Sequence, residues 1–230
     1  LSYIQENLRE IRRNIAEACG RSGRSPDDVE IVAVTKYVSL ETTRAALQAG
    51  IGHIGESRAQ DAVRKWNELG DSAVWHFIGN LQTNKVREVI GKFTYLHSLD
   101  RLSLARELNK RGEQDGIVTR CMIQVNISGE ETKHGLSPEE VSDFIEEISS
   151  MRQIQAVGLM TMAPYVDDPE ETRWIFRGLR QLRDELQRRD IPHDPLHHLS
   201  MGMSNDYQIA VEEGATFIRL GSTLVGDERS

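Results

Sequence analysis

The sequence predicts a closed parallel barrel of eight strand–helix units, on three observations. Short apolar runs alternate with longer amphipathic segments along almost the whole chain. The amphipathic segments begin and end with helix-capping signals. No Pro-rich linker, low-complexity tract or shift in composition divides the 230 residues, so residues 1–230 are read as one domain. An open doubly wound sheet is the alternative. It is disfavoured because no glycine-rich turn follows the first strand, where a dinucleotide fold carries one.

Taken in order, Ile4, Leu8, Ile11 and Ile15 recur at steps of three and four, which puts them on one face of an extra N-terminal helix. The eight strands are expected at residues 31–36, 53–56, 74–79, 95–99, 120–126, 156–163, 198–202 and 217–221. Between them, Ser137-Pro138-Glu139-Glu140 supplies an N-cap serine, a proline at the first helical position and a capping-box glutamate. Asp168-Pro169-Glu170-Glu171 repeats that logic. Gly50, Gly70 and Gly214 follow helical segments and read as left-handed stops.

Composition narrows the function. Lys plus Arg is 28 against 36 for Asp plus Glu, a formal charge of −8, which argues against a broad nucleic-acid surface. It leaves room for one small phosphorylated ligand in a locally positive pocket. No apolar stretch reaches the ~18 residues needed to span a bilayer, and the N-terminal segment lacks a signal-peptide core. The two cysteines, Cys19 and Cys121, have no metal spacing, and Cys121 reads as a buried free thiol. A cytoplasmic protein without metal is expected.

The chemistry-bearing residues lie at strand ends. In Ile31-Val32-Ala33-Val34-Thr35-Lys36 an apolar strand stops at a lysine with the same facing as Val32 and Val34. If those valines fill the barrel, the amine emerges inside its C-terminal mouth, where barrel enzymes keep their sites. A partly desolvated amine there is free to attack an aldehyde. A lysine snorkelling from a strand end is the other reading, and position alone leaves both open. Leu199-Ser200-Met201-Gly202-Met203-Ser204-Asn205-Asp206 reads as a strand end, a small-residue turn and a helix capped by Ser204 or Asn205. Phe217-Ile218-Arg219-Leu220-Gly221-Ser222 closes the last strand. Backbone amides at two such turns can cradle a phosphate, and barrels often bind phosphate after strands seven and eight. Arg219 must meet a ligand, an acid or water. Asn126 at the end of strand five reads as a ring contact or a loop cap. Met160 and Met162 share a facing, with core packing expected of at least one. His76, His97 and His198 read as isolated, satisfied core histidines.

These segments, in this order, resemble the pyridoxal phosphate homeostasis protein family. The resemblance runs through Ala33-Val34-Thr35-Lys36, Gly55-Glu56, His76-Phe77-Ile78-Gly79, Leu81-Gln82-Thr83-Asn84-Lys85, Val125-Asn126-Ile127-Ser128, Lys133-His134-Gly135, Gly158-Leu159-Met160, the segment 199–204 and Ile218-Arg219-Leu220-Gly221. It implies an alanine racemase-like barrel of pyridoxal phosphate fold type III, with the cofactor held as a Schiff base on Lys36. It also implies contacts from Asn126, Met160, Ser200, Met201, Gly202, Gly221 and Ser222, with Arg219 near the pyridine nitrogen. The family usually has Gly-Glu-Asn where this chain has Gly55-Glu56-Ser57, and Ile-Phe-Gly where it has Leu224-Val225-Gly226.

The resemblance further implies a protein that stores pyridoxal 5′-phosphate and supplies it to apo-enzymes, without catalytic residues of its own. The related racemases add a β-rich domain and a tyrosine from a facing subunit. The chain's end soon after strand eight therefore leads to the expectation of a monomeric, non-catalytic carrier. The alternatives are a racemase-like enzyme of low activity and a cofactor-free Schiff-base aldolase on Lys36.

Overall fold

The computed structural model describes residues 2–131, 133–191 and 195–229. Eight parallel strands close into one barrel in sequence order, β1 pairing with both β2 and β8. They are β1 (Glu30–Val34), β2 (His53–Glu56), β3 (Val74–Phe77), β4 (Tyr95–Leu99), β5 (Thr119–Gln124), β6 (Ile154–Met160), β7 (His198–Ser200) and β8 (Phe217–Leu220). The helices between and after them are α2 (Leu40–Gln48), α3 (Ala59–Leu69), α4 (Val86–Val89), α5 (Leu102–Asp115), α6 (Val141–Ile148), α7 (Arg173–Arg188), α8 (Tyr207–Glu212) and α9 (Ser222–Val225).

Every expected strand is present, and five of the eight stop two or three residues short of the expected C-terminal end. Lys36, Gly79, Asn126, Ala163 and Gly202 all lie beyond their strands. The apolar pattern continues past the point where the chain must leave the ladder to turn over the barrel rim, so hydrophobicity overestimates strand length there. The capping box of Ser137 and Glu140 forms, with Glu140 accepting from the Ser137 amide at 2.8 Å. Asp168 caps through the Glu170 amide. Both open a 3₁₀ turn that leads into α6 and α7 respectively.

The extra helix α1 (Ser2–Ser22) buries Ile4, Leu8, Ile11 and Ile15 as its periodicity requires. It braces the two last helices of the barrel. Asn7 donates to Leu224 O at 3.1 Å, Tyr3 to Val225 O at 3.2 Å, and Asn14 to the Tyr207 hydroxyl at 2.9 Å. Since α8 and α9 follow strands seven and eight, α1 holds from behind the two turns expected to carry phosphate. Cys19 and Cys121 are buried free thiols, and burial raises the pKa of each. Among the described residues, no helix is long and apolar enough to cross a membrane.

Two shells of core follow from strand alternation. Outward residues such as Ala33, Ile54, Leu199, Ile218 and Leu220 pack under the helices. Inward, Val32, Met122, Met160 and Phe217 form a separate apolar group inside the barrel. Phe217 lies among the rings of His53, His76, Tyr95, His97 and His198, with centroids 4.5–6.0 Å away. Barrel interiors are usually built from branched aliphatics; this one is largely aromatic and polar.

Candidate functional site

The cleft at the C-terminal mouth has a volume of about 380 Å³, within the range of small-ligand sites. Its walls come from the strand ends of β1 and β8 and from the turns after β2, β3, β6 and β7. Val34, Lys36 and Tyr37 line one side, Arg219, Gly221 and Ser222 the base, and Met203, Ser204, Asn205 and Asp206 the far side. Ser57, Met162 and Tyr165 complete the rim.

Lys36 does not end the strand. The β1–β2 ladder finishes with the Thr35 amide donating to Gly55 O at 3.0 Å, and Lys36 begins a turn closed by Val38 N to Thr35 O at 3.2 Å. Val32 points into the barrel and Val34 into the cleft, as alternation demands, but Lys36 is exposed rather than partly desolvated. The turn lifts its side chain to the rim. Its Nζ lies 4.8 Å from the Tyr37 ring centroid, and the Arg229 guanidinium covers the same ring at 3.6 Å. The segment 226–229 is tied over this turn: Glu228 N donates to Tyr37 O at 3.1 Å, and the Glu228 carboxylate accepts from Ser39 N at 2.8 Å and from the Thr42 hydroxyl.

Arg219 is almost fully buried. It donates through Nη1 to Ser200 Oγ and through Nη2 to Thr161 O at 3.1 Å. Among the described residues it forms no salt bridge. Asp206, the acid whose charge acts on Arg219, spends a carboxylate oxygen on the Met203 amide at 2.7 Å. Burial pulls the Arg219 pKa down to about 10, with Asp206 opposing that shift, so the side chain remains a cation at neutral pH. Burial likewise raises the pKa of Asp206, which the Met203 amide and then Arg219 counter.

The turn after β7 follows the small-residue pattern with one shift. Gly202 has φ +97°, and a Cβ there would meet Ala210 Cβ at 2.6 Å, so the chain passes against α8 only as glycine. The helix starts at Tyr207 with Asp206 as its flanking residue, later than a cap at Ser204 or Asn205 would place it. Those two side chains instead knit the rim together. Ser204 Oγ accepts from the Thr223 hydroxyl at 2.9 Å, and Asn205 donates to Val166 O at 2.9 Å. On the opposite wall, a Cβ on Gly79 would sit 2.3 Å from Ser57 O, which explains the glycine after His76-Phe77-Ile78 and brings Ser57 to the cleft.

Of the residues expected to hold a cofactor, Lys36, Arg219, Gly221 and Ser222 line the cleft. Five do not. Ser200 is fully buried, because its inward facing on β7 turns the hydroxyl toward Arg219 and His97. Met201 faces the outer core and Gly202 passes under α8. Met160 fills the barrel interior while Met162, two residues on, reaches the rim. Asn126 caps its own loop, donating to Glu130 O at 2.9 Å and accepting from Gly129 N at 3.1 Å. Sequence reasoning missed Met203, Tyr37 and the segment 226–229. Only the last could have been suspected, from its run of charged residues.

The donor set tests the fit to a phosphorylated aldehyde. A lysine amine stands at one end. Ser222, the first residue of α9, stands with Ser204 at the other. A buried cation lies at the base. That set matches an aldehyde, a phosphate and an aromatic nitrogen.

The model for the alanine racemase N-terminal domain matches residues 7–229. The pyridoxal phosphate homeostasis protein of Aquifex aeolicus is 43% identical over 225 residues, covering 97% of this chain and 98% of the relative. This chain belongs to the pyridoxal phosphate homeostasis protein family. The Pseudomonas aeruginosa member is 35% identical over 227 residues, covering 98% of this chain and 96% of its own. Among solved structures, PipY of Synechococcus elongatus with PLP bound superposes with a TM-score of 0.85 at 35% identity, over 97% of this chain and 100% of that one. An alanine racemase of Clostridium difficile shares the fold at TM-score 0.77 and 16% identity. The match covers 97% of this chain and 56% of the racemase.

Proposed function

We propose that this protein binds pyridoxal 5′-phosphate in the C-terminal cleft and serves vitamin B6 homeostasis by holding the cofactor for delivery to apo-enzymes. One observation carries the reading: the Lys36 amine and the Arg219 guanidinium line the same cleft as the turns after β7 and β8. When bound, the cofactor would supply an aldehyde, and the Lys36 amine is the group in the cleft that would hold it.

Gly221 and Ser222, with Ser204 opposite, would bind the phosphate. Arg219 can act as a donor only, so a ring nitrogen facing it would be left unprotonated and the ring would be a weaker electron sink. The exposure of Lys36 favours release as much as capture. The carrier role also draws on the relatives named for homeostasis. The fold likeness to alanine racemases favours a second reading, a racemase-like enzyme of low activity.

Incubation with pyridoxal phosphate, borohydride reduction and peptide mass mapping test the binding. The adduct is expected on the peptide carrying Lys36, with the yellow species lost in Lys36→Ala; an adduct spread over several surface lysines overturns a specific site. Adding L- or D-alanine to the loaded protein and following chirality and α-proton exchange separates the two roles. Turnover of roughly 1 s⁻¹ or faster favours the enzyme.

A further inference from the structure

A continuous polar chain crosses the barrel interior from its N-terminal mouth to the cleft. Glu30 Oε2 lies 3.5 Å from His53 Nε2. His53 Nδ1 lies 2.9 Å from His76 Nε2, His76 Nδ1 lies 2.8 Å from His97 Nε2, and His97 Nδ1 lies 2.7 Å from Ser200 Oγ. Ser200 Oγ accepts from Arg219. His76, His97 and Ser200 are wholly buried, and their side chains find their partners within the protein. The three histidines are contributed by β2, β3 and β4, and Ser200 and Arg219 by β7 and β8. No sequence spacing connects them.

The direction of every bond in this chain follows from one fact: a guanidinium has donors and no acceptor. Arg219 therefore donates to Ser200, and the Ser200 proton has His97 Nδ1 as its acceptor. A buried hydroxyl that kept its proton unpaired would lose a hydrogen bond's worth of stability. His97 then carries its own proton on Nε2 and donates to His76 Nδ1. His76 in turn donates from Nε2 to His53 Nδ1, and His53 Nε2–H points at Glu30. The result is three neutral rings in the same tautomer, ordered outward from Arg219. A proton added to His97 would face the Arg219 cation through a single hydroxyl. In agreement, burial holds the pKa of His76 and His97 well below the ordinary imidazole value, with the neighbouring histidines and, for His97, Arg219 pushing the same way.

We infer that His97, with His76 and His53 behind it, is a positioning residue: by accepting the Ser200 proton it fixes Ser200 as acceptor for Arg219, and so aims the remaining guanidinium donors into the cleft. Only two of the five Arg219 N–H groups have acceptors among the described residues. With Nη1 and Nη2 each anchored, the planar group cannot swing, and its free donors are held for a ring nitrogen or similar acceptor. This role rests on the cofactor-binding reading above, but the hydrogen-bond order does not.

The test has two arms. Long-range ¹H–¹⁵N correlation spectra of the ¹⁵N-histidine-labelled protein without cofactor are expected to show His53, His76 and His97 neutral, each protonated on Nε2. A proton on His97 Nδ1, or a charged His97 ring at neutral pH, overturns the proposed order. In the second arm, Ser200→Ala and His97→Phe are expected to weaken pyridoxal phosphate binding about tenfold, the loss of one charge-assisted bond, and to shift the visible band of the loaded protein. His97→Gln, which keeps an acceptor, restores most of both. Folded Ser200→Ala and His97→Phe proteins with unchanged affinity and spectrum overturn the positioning role. If the parent protein binds no cofactor at all, the functional reading fails, while the first arm still decides the hydrogen-bond order.

Discussion

Lys65 donates to Glu56 Oε1 at 2.7 Å beneath the turn that carries Lys36. The same Glu56 oxygen accepts from the Thr35 hydroxyl at 2.6 Å, and Lys65 also donates to Thr35 O. Glu56 is fully buried and its second oxygen has no partner among the described residues. The pair thus fixes both the backbone and the side chain of the residue preceding Lys36.

Removing one partner leaves a buried, unpaired charge. Lys65→Met is expected to destabilise the protein by about 3–5 kcal/mol, read as a lower urea midpoint. Lys65→Met with Glu56→Leu should recover much of that loss, because the double change removes both charges. A single variant as stable as the parent would show that the pair is not desolvated in solution.

Gly202→Ala tests the turn after β7. The positive φ and the 2.6 Å approach to Ala210 Cβ leave no room for a methyl group. A cost of roughly 1–3 kcal/mol is expected, together with weaker phosphate binding as the turn carrying Ser204 is displaced. Thermal unfolding and inorganic phosphate titration measure the two effects separately.

The segment 226–229 is expected to govern access to Lys36. Hydrogen bonds from Thr42 hold the Glu228 carboxyl below its usual pKa, with Ser39 adding to the shift, and the carboxylate sits at the N-terminus of α2. Glu228→Gln should cost only about 0.3–1 kcal/mol. It should nonetheless speed hydrogen exchange at the Ser39 amide, whose partner is that carboxylate. Unchanged exchange would argue against the tie.

Stability should fall on mild acidification. Burial lowers the pKa of His198 from 6.5 to about 4, and holds those of His76 and His97 well below 6.5. In each case the folded pKa lies under the unfolded one, so below about pH 6.5 the unfolded chain binds more protons. The stabilisation is complete above that pH and is lost as the pH falls toward the folded values. The slope reaches ~1.4 kcal/mol per pH unit for each histidine still neutral in the fold. Unfolding midpoints measured from about pH 7.5 to 5 should be flat at first and then decline. His198→Gln should decline less steeply, and a parent flat throughout would mean that the buried rings already carry protons.

The architecture and most of the elements were legible in the sequence, because hydrophobic period and capping chemistry are local. Ile4, Leu8, Ile11 and Ile15 specify α1 by spacing alone, and Ser137 and Glu140 carry their capping box within four residues. Lys36 and the glycine-bearing turns after β7 and β8 stood out for the same reason: each is a break in a local pattern. What the strand ends do was not legible. Whether Lys36 is the last strand residue or the first of a turn depends on where β2 stops donating and accepting, and whether Ser200 meets ligand or protein depends on Arg219 from the neighbouring strand. Asn126 could cap or contact, and only the position of Gly129 and Glu130 decided for capping. The histidines make the contrast sharpest. Read along the chain, His76 and His97 are single polar residues in apolar runs. Barrel closure, which turns inward-facing residues of different strands toward one axis, makes them successive links between Glu30 and Arg219.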